Sequence, residues 1–253
     1  MSLGSILVTG GGSGIGAALA LALARRDCRV IITGRRATTL EAVANQSPMI
    51  EALPADVTRP QDQDELASLL AKLNAPRGLF HGAGYFQLGK IDALSPDEWQ
   101  RSFDTNVTAR LALSTKCKPH LAGGRVLFVG SDSGTNVRAG AAAYSVAQAA
   151  SETLRRALQE EWADCDIAVS GFKPGLVDTD LVRGFLALSD EDFPARTAFQ
   201  AYLDRGEISS PDTIAAFAAW LLLDVGAHRF RTTPWDIRDP EHLGEWNNGP
   251  LYP

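Results

Sequence analysis

The first residues able to do chemistry are glycines. Thr9-Gly10-Gly11-Gly12-Ser13-Gly14-Ile15-Gly16 follows the apolar run Ile6-Leu7-Val8 and leads into an alanine- and leucine-rich stretch from Ala17 to Arg26. Glycines let the backbone turn tightly and let a phosphate approach main-chain N–H groups at the positive end of a helix dipole. A strand before and a helix after is the setting of a dinucleotide-binding turn rather than of a plain connection. Gly10, Gly12, Ser13, Gly14, Ile15 and Gly16 are therefore the candidate cradle.

The elements that must position this turn are legible as an alternation. Short β-branched or apolar runs (Ile6-Leu7-Val8, Val30-Ile31-Ile32, Val126-Leu127-Phe128-Val129, Ile167-Ala168-Val169) are separated by longer stretches of helical period, the pattern of repeated βαβ units with a parallel sheet covered on both faces by helices. Ser95-Pro96-Asp97-Glu98 carries an N-cap serine, a proline at the first helical position and a glutamate placed to close a capping box, and Ser210-Pro211 repeats the first two signals. Trp99, Phe103, Val107 and Leu111 then recur every four residues, which predicts one apolar face of a long helix. No linker marks a domain boundary, so residues 1–253 are expected to form one domain. The irregular stretch 176–206 is expected to be a substrate lid with an apolar wall of Leu176, Leu181, Phe185, Leu186, Leu188 and Phe193. Its acids, Asp178, Asp180, Asp190, Glu191 and Asp192, read as solvated helix faces, and the tail from Asp239 as packed or subunit-contacting.

The spacing of Gly10, Gly14 and Gly16 resembles the T-G-x-x-x-G-x-G loop of the short-chain dehydrogenase/reductase family, and the likeness continues in order along nearly the whole chain. Asp56, followed by Val57, resembles the acidic residue that touches the adenine ring. His81-Gly82-Ala83-Gly84 looks like a variant of the N-N-A-G stretch, and Asn106 matches the helix asparagine of the catalytic set. Ser131 and Tyr144 stand thirteen residues apart, as the family's serine and tyrosine do, and Pro174-Gly175-Leu176-Val177-Asp178-Thr179 resembles its P-G loop. The resemblance implies a doubly wound Rossmann fold with a seven-stranded parallel sheet, a nicotinamide cofactor, and a homodimer or homotetramer formed through the helices beginning near Ser95 and Ala143.

Which cofactor it takes depends on the end of the second strand, Ile31-Ile32-Thr33-Gly34-Arg35-Arg36. An acid there would bind the ribose hydroxyls of NAD and repel a 2′-phosphate, whereas arginine pairs with that phosphate. Arg35 and Arg36 favour NADP over NAD, with Ser13 a further donor to the phosphate. A solvated helix entry is the plainer alternative for the two arginines.

Hydride transfer to a carbonyl puts negative charge on its oxygen, so a proton donor and an anchoring hydroxyl lower the barrier. By resemblance Tyr144 is the acid and Ser131 the anchor, with Ser133 competing for the second role. The family's Tyr-x-x-x-Lys is here Tyr144-Ser145-Val146-Ala147-Gln148. Gln148 shares a helix face with Tyr144 and can bond ribose hydroxyls, yet it brings no charge to a phenolate. The expectation is a slow, reduction-biased enzyme acting on a small carbonyl or alcohol. The competing reading is an NADP-binding sensor or scaffold.

Composition closes off other classes. Twenty-four Lys and Arg against thirty Asp and Glu give a net charge of −6, with the cations scattered, which argues against nucleic acid. Three widely spaced cysteines, Cys28, Cys117 and Cys165, suggest buried thiols in a reducing compartment and no metal site. The longest apolar run, Ile214 to Leu223, is too short to span a bilayer. The first apolar stretch enters a glycine turn instead of a cleavage site, so cytoplasmic residence with no membrane partner is the expectation.

Overall fold

The computed structural model of the protein describes residues 3–191, 193–247 and 251–252. In chain order its elements are β1 (Ser5–Thr9), α1 (Gly14–Ala24), β2 (Arg29–Gly34), α2 (Ala37–Ala44), β3 (Ile50–Pro54), α3 (Pro60–Ala71), β4 (Arg77–His81), α4 (Pro96–Phe103), α5 (Ala109–Cys117), β5 (Arg125–Val129), α6 (Ala142–Glu161), β6 (Ala168–Lys173), α7 (Asp180–Leu186), α8 (Arg196–Asp204), α9 (Pro211–Leu223), α10 (Ala227–Thr232), β7 (Trp235–Asp236) and α11 (Pro240–Trp246). The seven strands are all parallel, in the order β3-β2-β1-β4-β5-β6-β7. This is the helix-covered parallel sheet expected from the alternation, in the doubly wound, seven-stranded form that the resemblance implied.

Successive strand side chains point to opposite faces, and both faces are covered. Ile6, Val8, Val30, Ile32, Phe80, Leu127 and Phe172 pack with α1 and α9 on one side. Leu7, Ile31, Leu79, Val126, Phe128 and Val169 pack with α3, α5 and α6 on the other. The run Ile214–Leu223 belongs to α9, where Ile214, Phe217, Leu221 and Leu222 are fully buried, so its near-continuous apolarity is that of a helix enclosed by the core. No helix among the described residues is long and apolar enough to cross a membrane. Burial pushes the Cys28 and Cys117 thiols up to about 12, and Cys165 is half-buried rather than buried.

Both serine caps form. Ser95 Oγ accepts from Glu98 N at 3.2 Å while Glu98 Oε2 accepts from Ser95 N at 2.9 Å, and Ser210 Oγ accepts from Thr213 N at 3.1 Å. The stripe from Trp99 to Leu111 departs from expectation. A π-turn over Asp104–Thr108 separates α4 from α5 and shifts the phase of the stripe, and Trp99 and Leu111 are 36% and 45% exposed. The irregular 176–206 segment contains the two short helices α7 and α8, and the tail contains α11, whose Trp246 packs 5.0 Å from the Phe217 ring.

The order reverses between β1, followed by α1 and then β2 on one side, and β4 on the other. Ligands bind at such a switch point, beyond the carboxyl ends of the strands. Thr9 pairs with Thr33 on β2 and His81 on β4, so the turns after these strands open onto one cleft.

Candidate active site

That cleft has a volume of about 1120 Å³. At its floor Thr9 ties two strands' ends together: its Oγ1 donates to Phe80 O at 3.2 Å and accepts from the N–H groups of Gly82 and Ala83 at 3.1 Å each. The chain then turns through Gly10 at φ +72°, where a Cβ would lie 2.8 Å from Ala83 N. A Cβ at Gly16 would lie 2.3 Å from Gly10 O, so the first turn of α1 can pack onto the loop only as glycine. Ser13 caps α1 in extended backbone without spending its side chain on the helix. The N–H groups of that first turn and the Ser13 hydroxyl are thus open to an anion.

Along one wing of the cleft lie Arg35, Arg36, Asp56 and Val57. Both arginines are exposed, and neither has a salt-bridge partner among the described residues. Burial works against ionised Asp56, but bonds from Thr58 N at 3.0 Å and Thr58 Oγ1 at 2.7 Å, with the charges of Arg35 and Arg59, hold its carboxyl below the ordinary value.

Along the other wing stand Gly82, Ala83, Gly84, Ser131, Tyr144, Gln148, Pro174, Gly175, Val177 and Thr179. Ser131 lies two residues past β5 and its Oγ accepts from Ser133 N at 3.1 Å. Tyr144, in the first turn of α6, lines the cleft beside Ser131. Burial pushes its phenol above the ordinary value, while the neighbouring Ser131 side chain and the charge of Arg110 pull it down. Gln148 follows one turn later and is buried. Thr179 caps α7, and its methyl faces Gly14 across the cleft, 3.2 Å from where a Cβ would stand.

Of the site residues singled out from sequence, Asn106 does not line the cleft. Its amide is occupied: Nδ2 donates to Tyr85 O at 2.7 Å and Oδ1 accepts from Tyr85 N at 3.0 Å, which fixes the loop after β4 against the π-turn. His81 likewise points inward. Its Nε2 meets Ser114 Oγ at 2.8 Å, its ring lies 4.5 Å from that of Phe128, and burial keeps it neutral.

Phe86 and Phe199 line the cleft and carried no sequence signal, whereas Leu176, Phe185 and Phe193 were expected there. Phe86 stacks on Phe185, which meets Phe193 and Phe199 edge-on, and Leu176 joins the same cluster. Leu188 packs against that cluster from behind. Asp192 and the side chains of Asp180 and Leu181 lie outside the described residues. The acids Asp178, Asp190 and Glu191 pair with Arg183, Arg196 and Lys90 at the surface. Arg238 bonds Asp132 at 2.8 Å and Asp236 at 2.6 Å beside Gly175, so it holds the loop after β5 to β7. Arg110, on α5, is buried and bonded to Ser151 of α6, and nothing in the sequence singled it out. No group of three or more His, Cys, Asp or Glu among the described residues is placed to hold a metal ion.

Known proteins place this arrangement. The family described as short chain dehydrogenase matches residues 5–187. An uncharacterized oxidoreductase of Staphylococcus aureus strain MRSA252 is 33% identical over 187 residues, which cover 71% of this chain and 80% of that protein. A short-chain dehydrogenase/reductase of Saccharomyces cerevisiae has the same fold, with a TM-score of 0.88 at 20% identity over 96% of this chain and 99% of that one. A putative NAD(P)-dependent gluconate 5-dehydrogenase of Beutenbergia cavernae, solved with NADP at low occupancy, is 25% identical with a TM-score of 0.79, covering 92% and 94%.

Proposed function

Since the chain belongs to the short-chain dehydrogenase family and is an oxidoreductase of that type, we propose that it reduces a small ketone or aldehyde with NADPH. The observation that carries this reading is Tyr144, set beside Ser131 in the cleft and kept a phenol by burial. Reduction needs that protonated form, and oxidation needs the phenolate.

The residues present fit a dinucleotide: glycine is sterically required at Gly10 and Gly16, and unbonded N–H groups and an unbonded serine face the cleft. Gly10, Gly12, Ser13, Gly14, Ile15 and Gly16 would hold the pyrophosphate, Asp56 and Val57 the adenosine, and Arg35 and Arg36 the 2′-phosphate. Gly82, Ala83, Gly84, Tyr144, Gln148, Pro174, Gly175, Val177 and Thr179 would hold the nicotinamide half. When bound, NADPH supplies the hydride. Ser131 and Tyr144 orient the carbonyl oxygen, and the Tyr144 hydroxyl gives it a proton. Support for NADP over NAD comes from the two exposed arginines at the cleft and from the NADP of the Beutenbergia cavernae protein.

Trp99, Leu111 and Val146 leave exposed apolar side chains on α4, α5 and α6, which supports a homodimer or homotetramer, and we place the enzyme in the cytoplasm. Gln148 favours a second reading, an NADP-binding sensor or scaffold. The test is NADPH consumption with aldehydes, ketones and diketones. Turnover supports the reductase, and tight NADPH binding with no turnover on any of them supports the second reading.

A further inference from the structure

The inner stripe of α6 presents Tyr144, Gln148 and Ser151 at helical spacing. It contains a phenol, an amide and a hydroxyl, and no charge. A cation for Tyr144 must therefore come from another element, and one is built in. Arg110 of α5 is 5% exposed. Its Nη1 donates to Ser151 Oγ at 2.9 Å and Val129 O at 3.1 Å, and its Nη2 to Ala83 O at 3.4 Å. These acceptors belong to the α6 stripe, the end of β5 two residues before Ser131, and the loop before Gly84. The guanidinium sits where the three segments that carry the site converge.

All three acceptors are neutral. Among the described residues no carboxylate lies within salt-bridge distance of Arg110, and its Nε is buried without a partner. A buried guanidinium kept only as scaffold would be expected to bring a carboxylate with it, because desolvating an unneutralised charge is costly. Here its field is left to act on what surrounds it. We infer that Arg110 is an electrostatic positioning residue for the Tyr144 proton, supplying from α5 the positive charge that α6 lacks at Gln148; this rests on the reductase reading above.

The other charged groups around Tyr144 do not substitute for it. His81 on β4 is held neutral. After β5, Asp132 is tied to Lys173 and Arg238. Beyond α4, Asp104 accepts from Gln100, and Arg101 lines the cleft mouth. Before α6, Arg138 donates to Ser133 and covers the Phe199 ring. Arg110 lines the same cleft as Tyr144 and is bonded to Ser151 on the Tyr144 stripe of α6, and its charge favours the ionised phenol against the larger, opposite effect of burial.

The test is a titration of Tyr144 in ¹³C-tyrosine-labelled full-length protein without cofactor, the resonance assigned with Tyr144→Phe. Arg110→Gln keeps donors and removes the charge. Ser151→Asp neutralises the guanidinium in place and covers the case in which Arg110→Gln does not fold. In each, the Tyr144 midpoint is expected to rise by about one unit, a tenfold loss of phenolate at a given pH. Arg110→Lys should keep the wild-type midpoint, and Arg110→Gln with Gln148→Lys should recover it. Alcohol oxidation at fixed alkaline pH should fall and recover in step. A midpoint indifferent to both neutralising changes in folded protein overturns the inference, even in an active enzyme. A midpoint that moves as expected in a protein with no turnover overturns the reductase reading and leaves the charge assignment standing.

Discussion

The ring of Phe86 lies against that of Tyr144, centroids 4.1 Å apart, with Phe185 stacked on Phe86 at the same separation. The candidate proton donor thus forms one end of an aromatic wall whose other end is on α7. A substrate that reaches Tyr144 must meet or displace Phe86, so Phe86 should read the apolar part of the substrate. Phe86→Ala is expected to lower kcat/KM for aryl and alkyl ketones by about threefold to tenfold, the worth of one aromatic contact. Small polar aldehydes should change less and NADPH affinity not at all. Steady-state kinetics over a size series checks this, and an equal loss for all substrates would remove Phe86 from substrate selection.

Arg35 and Arg36 line the wing of the cleft where a 2′-phosphate is expected, exposed and without a salt-bridge partner among the described residues. A charge-assisted bond to phosphate is worth about 1.5–3 kcal/mol. Replacing both with alanine should therefore weaken NADPH by about tenfold to a hundredfold and leave NADH affinity unchanged. The wild-type preference should also shrink at high salt. Titration calorimetry with both cofactors is the measurement, and equal weakening of the two would assign the arginines to the shared pyrophosphate or to folding.

Burial dominates at Tyr144 and raises its phenol above the ordinary value of about 10. A group whose folded value is raised stays protonated across neutral pH and ionises later than in the unfolded chain. Its contribution to stability is present below the unfolded value and is lost as pH rises through the folded one. Reduction should accordingly be level through neutral pH and fall only in the alkaline range, where oxidation rises. Tyr144→Phe should abolish both limbs. A reduction rate that already falls between pH 7 and 8 would assign the limb to another group.

Trp99, Leu111 and Val146 are 36%, 45% and 44% exposed, on α4, α5 and α6. These exposed apolar side chains are where the proposed assembly would form. Trp99→Glu with Leu111→Glu should convert the assembly to monomer in sedimentation or light scattering while NADPH still binds. A monomeric wild type would remove the assembly from the proposal.

Much of the fold was readable because its signals are local. The glycine turn, the serine caps and the alternation of strand and helix each sit within a few residues, and the core follows from them. The long apolar stripe was legible as a helix, but period alone does not say whether its face is covered. Nor can it foresee the π-turn at Asp104–Thr108 that breaks the phase between Phe103 and Leu111. Asn106 shows a similar limit: its spacing marks the residue, while the bonds that turn its amide to Tyr85 depend on how the loop after β4 closes. Arg110 was least visible, because its acceptors at Ala83, Val129 and Ser151 meet it only once the strands are ordered.

Gln148→Lys brings these strands of reasoning to one position. Gln148 is 5% exposed, one turn after Tyr144, and on the same stripe as Ser151, which already receives Arg110. With no cation near, a lysine there would favour the phenolate strongly. With Arg110 in place, the phenol already feels one charge, and two buried cations resist each other's ionisation. The substitution should therefore raise alcohol oxidation at fixed pH by less than about tenfold, the effect of one unit in the phenol, and change reduction little. In the Arg110→Gln background the same change should have the larger effect. Oxidation and reduction rates of the four proteins complete a double-mutant cycle. Equal gains in both backgrounds would show that positions 110 and 148 act on Tyr144 independently.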